Sequence, residues 1–202
     1  MSSYGVLRAV SVALRQILWE EFQLDPAVGP IVGSEASIVF SNPTETRQQP
    51  ANRLSLWLYQ ITENEHMKNQ PAVRANGADT IRPAPMALNL HYLVTPFAPS
   101  GELDHLLLGK TMQVLYDNAT TLLRLPAEGI AEELRIIFAR LTLEELSRVW
   151  EALREAYRLS VAYQVRVTQV DSLQTTGYAR VIDRIAAFET GLPAGLEARR
   201  GA

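Results

Sequence analysis

The sequence predicts an α/β or α+β fold: a single domain whose mixed, mostly antiparallel sheet is flanked by helices, with a long inter-strand projection. Three observations carry that expectation. Stretches with a two-residue apolar period alternate with stretches whose period is 3.6 residues, the pattern of strands packed against helices. A chain of 202 residues is long enough for one sizeable core and short for two. Between two strand-like stretches, Thr62 to Pro85 has few apolar residues, three prolines and one glycine, a connection far longer than joining neighbouring strands requires.

The elements follow in order. Val6, Val10, Ala13 or Leu14, and Ile17 with Leu18 form one stripe, so the chain opens with a helix of about five turns. Ser2 or Ser3 is its expected cap, and it should end before "LDPAVGP". "ASIVF" is a short strand closed by the turn material "SNPTE". "NRLSLWLYQIT" puts Leu54, Leu56 and Leu58 on one face and Trp57, Tyr59 and Ile61 on the other, which predicts a central strand covered from both sides. Beyond the polar excursion, "MALNLHYLVT" is a strand with Leu88, Leu90, Tyr92 and Val94 facing the core. "ELDHLLLGKTMQVLYDNATTLL" reads as a helix aligning Leu108, Met112, Leu115 and Ala119, and "ELRIIFARL" as a strand.

Thr142 then caps another helix, with Glu145 completing a capping box and Leu141 and Leu146 forming a hydrophobic staple. This helix turns Leu146, Val149, Trp150 and Leu153 to the core. The strand after it has two unlike faces: Val161, Tyr163, Val165 and Val167 on one, Ser160, Ala162, Gln164, Arg166 and Thr168 on the other. The second face is polar without being strongly charged, which suits a wet surface or a polar interface. Residues 1–172 make the domain. Residues 173–202 form a C-terminal extension in which Tyr178, Val181, Ile182, Ile185 and Phe188 stand among arginines, the composition of an interaction arm.

Composition narrows the function. The formal charge of −3 and the thin spread of Lys and Arg argue against an electrostatic grip on nucleic acid. Only Lys68 and Lys110 among the basic residues are lysines. Cysteine is absent, which removes disulfides, thiolate chemistry and Cys-based metal sites and fits a reducing cytoplasm. The N-terminal stretch, interrupted by Arg8, Arg15, Glu20 and Glu21, reads neither as a signal peptide nor as a membrane span.

No motif asks for catalysis. "GKT" at Gly109–Thr111 lacks the glycine a phosphate loop needs five residues earlier, where Asp104 stands; Gly109 reads instead as a close-packing position. His66, His91 and His105 show no i, i+4 metal spacing. His91 should lie opposite the core face as a structural histidine. Glu20–Glu21, Glu132–Glu133 and Glu144–Glu145 are chain neighbours on helices or their borders, where adjacent side chains diverge. No cofactor and no metal is expected. Ser, His and Asp converging in space would make a small hydrolase, and a monomeric adaptor loading cargo fits the same composition.

Three stretches taken together, "RLSLWLYQITENEHMKN", "RPAPMALNLHYLVTPFA" and "LTLEELSRVWEALREAYRLSVAYQVRVTQVDS", resemble the cap, or tail-terminator, proteins of extracellular contractile injection systems, which are phage-tail-like particles. The resemblance runs from about Ser3 to Ser172 and rests on many positions rather than on one motif. It implies a non-enzymatic structural cap that closes the baseplate-distal end of tube and sheath and anchors the last sheath layer. It also implies assembly as a homohexameric ring in the cytoplasm, within a particle that can be released, with tube and sheath proteins as partners and neither nucleic acid nor membrane insertion involved. The expected interface residues are Glu63, Glu65, His66, Lys68, Arg74 and Arg82 in the excursion, Gln164 and Arg166 on the polar strand face, and Tyr178 and Arg180 in the extension. Together with Asp79, the excursion's charges nearly balance, as in the polar rim of an interface.

Overall fold

In the computed structural model, which describes residues 5–65, 73–74, 80–82, 86–124, 131–170 and 176–177, the first apolar stripe forms helix α1 (Val6–Leu24). It buries Val6, Val10, Leu14, Leu18 and Phe22, one residue per turn and therefore one face. Its N-cap is Gly5, which makes no side-chain cap bond. This replaces the expected serine cap, and Ser2 and Ser3 lie outside the described residues. At the other end Asp25 accepts backbone N–H bonds from Ala27 (2.9 Å) and Val28 (3.2 Å) and meets Lys110 Nζ at 3.4 Å. Those backbone bonds, with the lysine, hold its carboxyl below the usual range.

A short helix α2 (Gly29–Val32) and a 3-10 turn (Glu35–Ser37) lead to the two-residue strand β1 (Ile38–Val39). The expected turn "SNPTE" is instead the start of a five-residue helix, α3 (Pro43–Arg47). Asn42 Oδ1 accepts the Glu45 N–H at 2.8 Å, and Pro43 stands in the first turn, where its missing N–H costs nothing. Asn-Pro signals a helix start as readily as a turn, and the side-chain cap decides for the helix.

Strands β2 (Leu54–Glu63), β5 (Met86–Pro96), β8 (Val161–Val170), β7 (Ala131–Ala139) and β6 (Thr120–Arg124) complete a six-stranded sheet in the order β1-β2-β5-β8-β7-β6. Only β1 and β2 run parallel. Between β2 and β5, β3 (Val73–Arg74) and β4 (Thr80–Arg82) pair as a small hairpin, and β9 (Thr176–Gly177) adds to β4 to make a separate three-stranded sheet. The long projection is therefore tied, at this point, to the chain beyond Ser172.

One face of the large sheet carries the core. Leu88, Leu90, Tyr92 and Val94 of β5, Tyr163, Val165 and Val167 of β8, and Leu134 and Ile136 of β7 are buried in one cluster with α1 and helix α4 (Gly101–Asp117). Inside it the Tyr92 hydroxyl lies 2.8 Å from Ser11 Oγ, and burial pushes its pKa up to about 12. Helix α4 is shorter than expected: Asn118 is its C-cap, and Thr120–Arg124, with two β-branched residues suited to a pleated surface, form β6. Its buried set is Leu107, Leu108, Thr111, Val114 and Leu115, while Met112 is exposed. Gly109 is also a correction, because a Cβ added there would meet nothing within 4 Å.

Strand β2 departs from the expected two-sided burial. Its pairing with β5 shifts register between Leu58 and Gln60, so that Ile61 falls opposite the buried Leu90. A bulge of this kind turns every later side chain to the other face. Ile61 thus joins the core side rather than that of Trp57 and Tyr59, and at the sheet margin it stays 45% exposed.

Helix α5 (Leu143–Ala152) begins with the expected capping box. Thr142 Oγ1 accepts the Glu145 N–H at 3.2 Å, and the Glu145 carboxylate accepts the Thr142 N–H at 2.7 Å. The Thr142 N–H, and then the Thr142 hydroxyl donating at 2.9 Å, hold the Glu145 carboxyl below its ordinary pKa. Of the residues expected in the core only Trp150 is buried, while Leu146, Val149 and Leu153 are half-buried. The helix lies on the second face of the sheet, where Trp150 Nε1 donates to Ser160 Oγ at 3.2 Å.

Candidate interaction face

The second face divides into a covered and an open half. Toward the start of β8, Leu93, Thr95, Ser160 and Ala162 are buried beneath α5 and its linker. Arg158 clamps that linker: its Nη2 meets Asp104 Oδ2 at 2.5 Å, its Nε donates to the Pro96 carbonyl at 3.0 Å, and its guanidinium lies 4.7 Å from the Phe97 ring centre. Pro43, Phe97, Trp150, Tyr157 and Arg158 line a shallow groove beside the clamp. At the N-terminus of α5, burial and then the Glu145 charge push the Tyr59 phenol pKa up.

Farther along, the face is polar, and no described element covers it. Antiparallel register aligns Gln60, His91, Gln164 and Ile137 across β2, β5, β8 and β7, and in the next row Thr62, Asn89, Arg166 and Arg135. His91 Nε2 lies 3.1 Å from Thr62 Oγ1, and its ring meets Tyr59 edge-on at 6.2 Å. It is the hydrogen-bonded structural histidine that the sequence led us to expect, with burial pushing its pKa down. Among the described residues the buried Asn89 Oδ1 has no hydrogen-bond partner. Arg135 and Arg166 are exposed cross-strand neighbours. Like charges placed directly opposite repel, and Arg135 relieves part of this by pairing with Glu133 at 2.9 Å. Among the described residues Arg166 has no side-chain partner.

The expected interface residues are spread over two regions. Gln164 (half-buried) and Arg166 (exposed) lie on the open face. Glu63 and Glu65 are exposed where β2 runs out into the excursion. Arg74 and Arg82 belong to the β3–β4 hairpin, near each other in register but not directly paired. His66, Lys68, Tyr178 and Arg180 lie outside the described residues. Sequence reasoning placed Asn89 beside His91 opposite the core face but passed over Arg135 and Ile137, because a strand's period gives its two faces but not which strands are neighbours. Among the described residues no group of three or more His, Asp or Glu side chains could hold a metal ion, and no helix is long and apolar enough to cross a membrane.

The fold is thus a mixed α/β slab, packed on one side by helices and half open on the other. A family model described as the Pvc16 N-terminal domain matches residues 9–184, and the chain belongs to this family. The family relationship suggested by the three sequence stretches is thereby borne out. Among solved structures, the chain is similar to the sheath/tube terminator of PVC, an extracellular contractile injection system, seen by cryo-EM in the extended state, with 17% identity and a TM-score of 0.56 over 86% of this chain. It spans 64% of that terminator's length. It also aligns with the tube-terminating cap of the anti-feeding prophage at 16% identity and a TM-score of 0.47, covering 66% of this chain and 48% of that one. No curated protein matches the sequence.

Proposed function

We propose that the protein is a structural terminator of a contractile injection particle, forming a homohexameric ring that closes the baseplate-distal end of tube and sheath and anchors the last sheath layer. Membership of the Pvc16 N-terminal domain family over residues 9–184 carries this reading. The slab supports it: one face is consumed by its own core, and the other offers a polar, half-open sheet to a neighbour. The role asks for recognition and not for catalysis. Assembly in the cytoplasm and release with the particle belong to the same proposal.

The test is deletion of the protein from cells that make the particle. Negative-stain microscopy should show sheath and tube ends that are open and particles of uneven length, both restored by the wild-type chain. Uniform, normally closed particles without the protein would refute the role. Native mass spectrometry of the purified chain separates a ring former from a monomeric adaptor.

A further inference from the structure

We infer that the open sheet face of one copy receives the outer side of helix α4 from the next copy, so that the ring closes head to tail through opposite sides of one slab. This rests on the ring reading above and adds which surfaces meet. A cyclic ring is built from heterologous contacts, in which two different patches of the same chain face each other. The slab carries two such patches on its opposite faces.

The first is the open half of the second face. Two exposed apolar side chains flank the row of Arg135 and the uncompensated Arg166, Ile137 of β7 on one side and Leu122 of β6, 63% exposed, on the other. Register puts Leu122 opposite Glu133 and Ile137 opposite Gln164, so both share the side of Arg135 and Arg166. The patch is therefore polar with two apolar side chains in it, and because Glu133 on the same side is taken up by Arg135, Arg166 leaves it one positive charge in excess.

The second patch is the side of α4 turned away from the core. Leu106, Gly109, Met112 and Tyr116 recur every three or four residues and so share one helix face. The three large members are exposed, Tyr116 to 81%, and a Cβ at Gly109 between them would meet nothing within 4 Å. Asp117 follows directly, exposed at the helix C-terminus. A carboxylate there meets the negative end of the helix dipole, and among the described residues no basic side chain pairs with it. Asp117 and Arg166 are each badly placed within one copy, and pairing them between copies relieves both. Helices already cover the first sheet face of this slab, so a helix on the second repeats a packing the sheet accommodates.

The test is charge reversal with rescue, read by native mass spectrometry across a concentration series. Wild type should form rings. R166E and D117R alone should each raise the concentration for half assembly on the order of tenfold or more, and R166E/D117R together should restore it. Both positions are exposed, so thermal unfolding of the monomers should match wild type. Single variants that assemble normally, or a double variant that stays as impaired as the singles, would overturn the α4-to-sheet contact while leaving the ring intact. A wild-type chain that stays monomeric throughout would remove the ring reading and this contact with it.

Discussion

Ser11 and Tyr92 meet across the boundary between α1 and the sheet, and their hydroxyls are not equivalent. Ser11 Oγ also donates to the Leu7 carbonyl at 3.1 Å, whereas the buried Tyr92 hydroxyl depends on Ser11. Removing the phenol oxygen (Y92F) leaves Ser11 bonded and should cost about 1 kcal/mol, while S11A strands a buried hydroxyl and should cost about 1–3 kcal/mol. Urea denaturation of the two variants checks the order. Equal losses would mean that water replaces the serine. His91 supplies a pH readout. Its pKa is lowered in the fold, so below about pH 6.5 the unfolded chain binds a proton that the native state refuses. Stability is therefore undiminished above that pH and falls as the pH drops below it. H91Q should lose less stability than wild type between pH 7.5 and 5.5, measured by denaturant midpoints.

At the scale of elements, the capping box of α5 and the excursion between β2 and β5 make separate predictions. T142A removes a cap that accepts the Glu145 N–H and should cost about 1 kcal/mol; an unchanged denaturation midpoint would place the start of the helix elsewhere. Replacing residues 65–85 by a Gly-Asn turn should leave the six-stranded sheet folded, because β3, β4 and β9 belong to a different sheet. We expect circular dichroism to be preserved and ring formation to be lost; rings of normal size would exclude the projection from assembly. These elements also show what can be read from a chain alone. The i, i+4 stripe of α1, the core side of β5 and β8, and the Thr142–Glu145 box were all legible, since each depends on residues close in sequence. The bulge after Leu58, the end of α4 at Asp117 and the Arg135–Arg166 juxtaposition were not. Each is settled by what a distant strand offers, and local periodicity carries no trace of it. The open face was legible only in part, through Gln164 and Arg166 on their own strand.

For the whole molecule, the two-residue length of β1 has a consequence of its own. β1 pairs with β2 only at Leu54 and Ser55, so among the described residues the outer backbone of β2 from Leu56 onward has no strand beside it. A straight ribbon of that length, carrying Leu56, Trp57 and Leu58, is a template on which identical chains could stack without limit. The irregularity between Leu58 and Gln60 interrupts that template, because a bulge increases twist and breaks the spacing a second flat strand must match. Newly made copies waiting for partners would be the ones at risk. Deleting Tyr59, the residue skipped in the pairing, should straighten the edge, and the variant should then form thioflavin-binding fibrils at concentrations where the wild-type chain stays dispersed. A variant that stays dispersed as well as wild type would show that the margin is guarded by something other than its own kink.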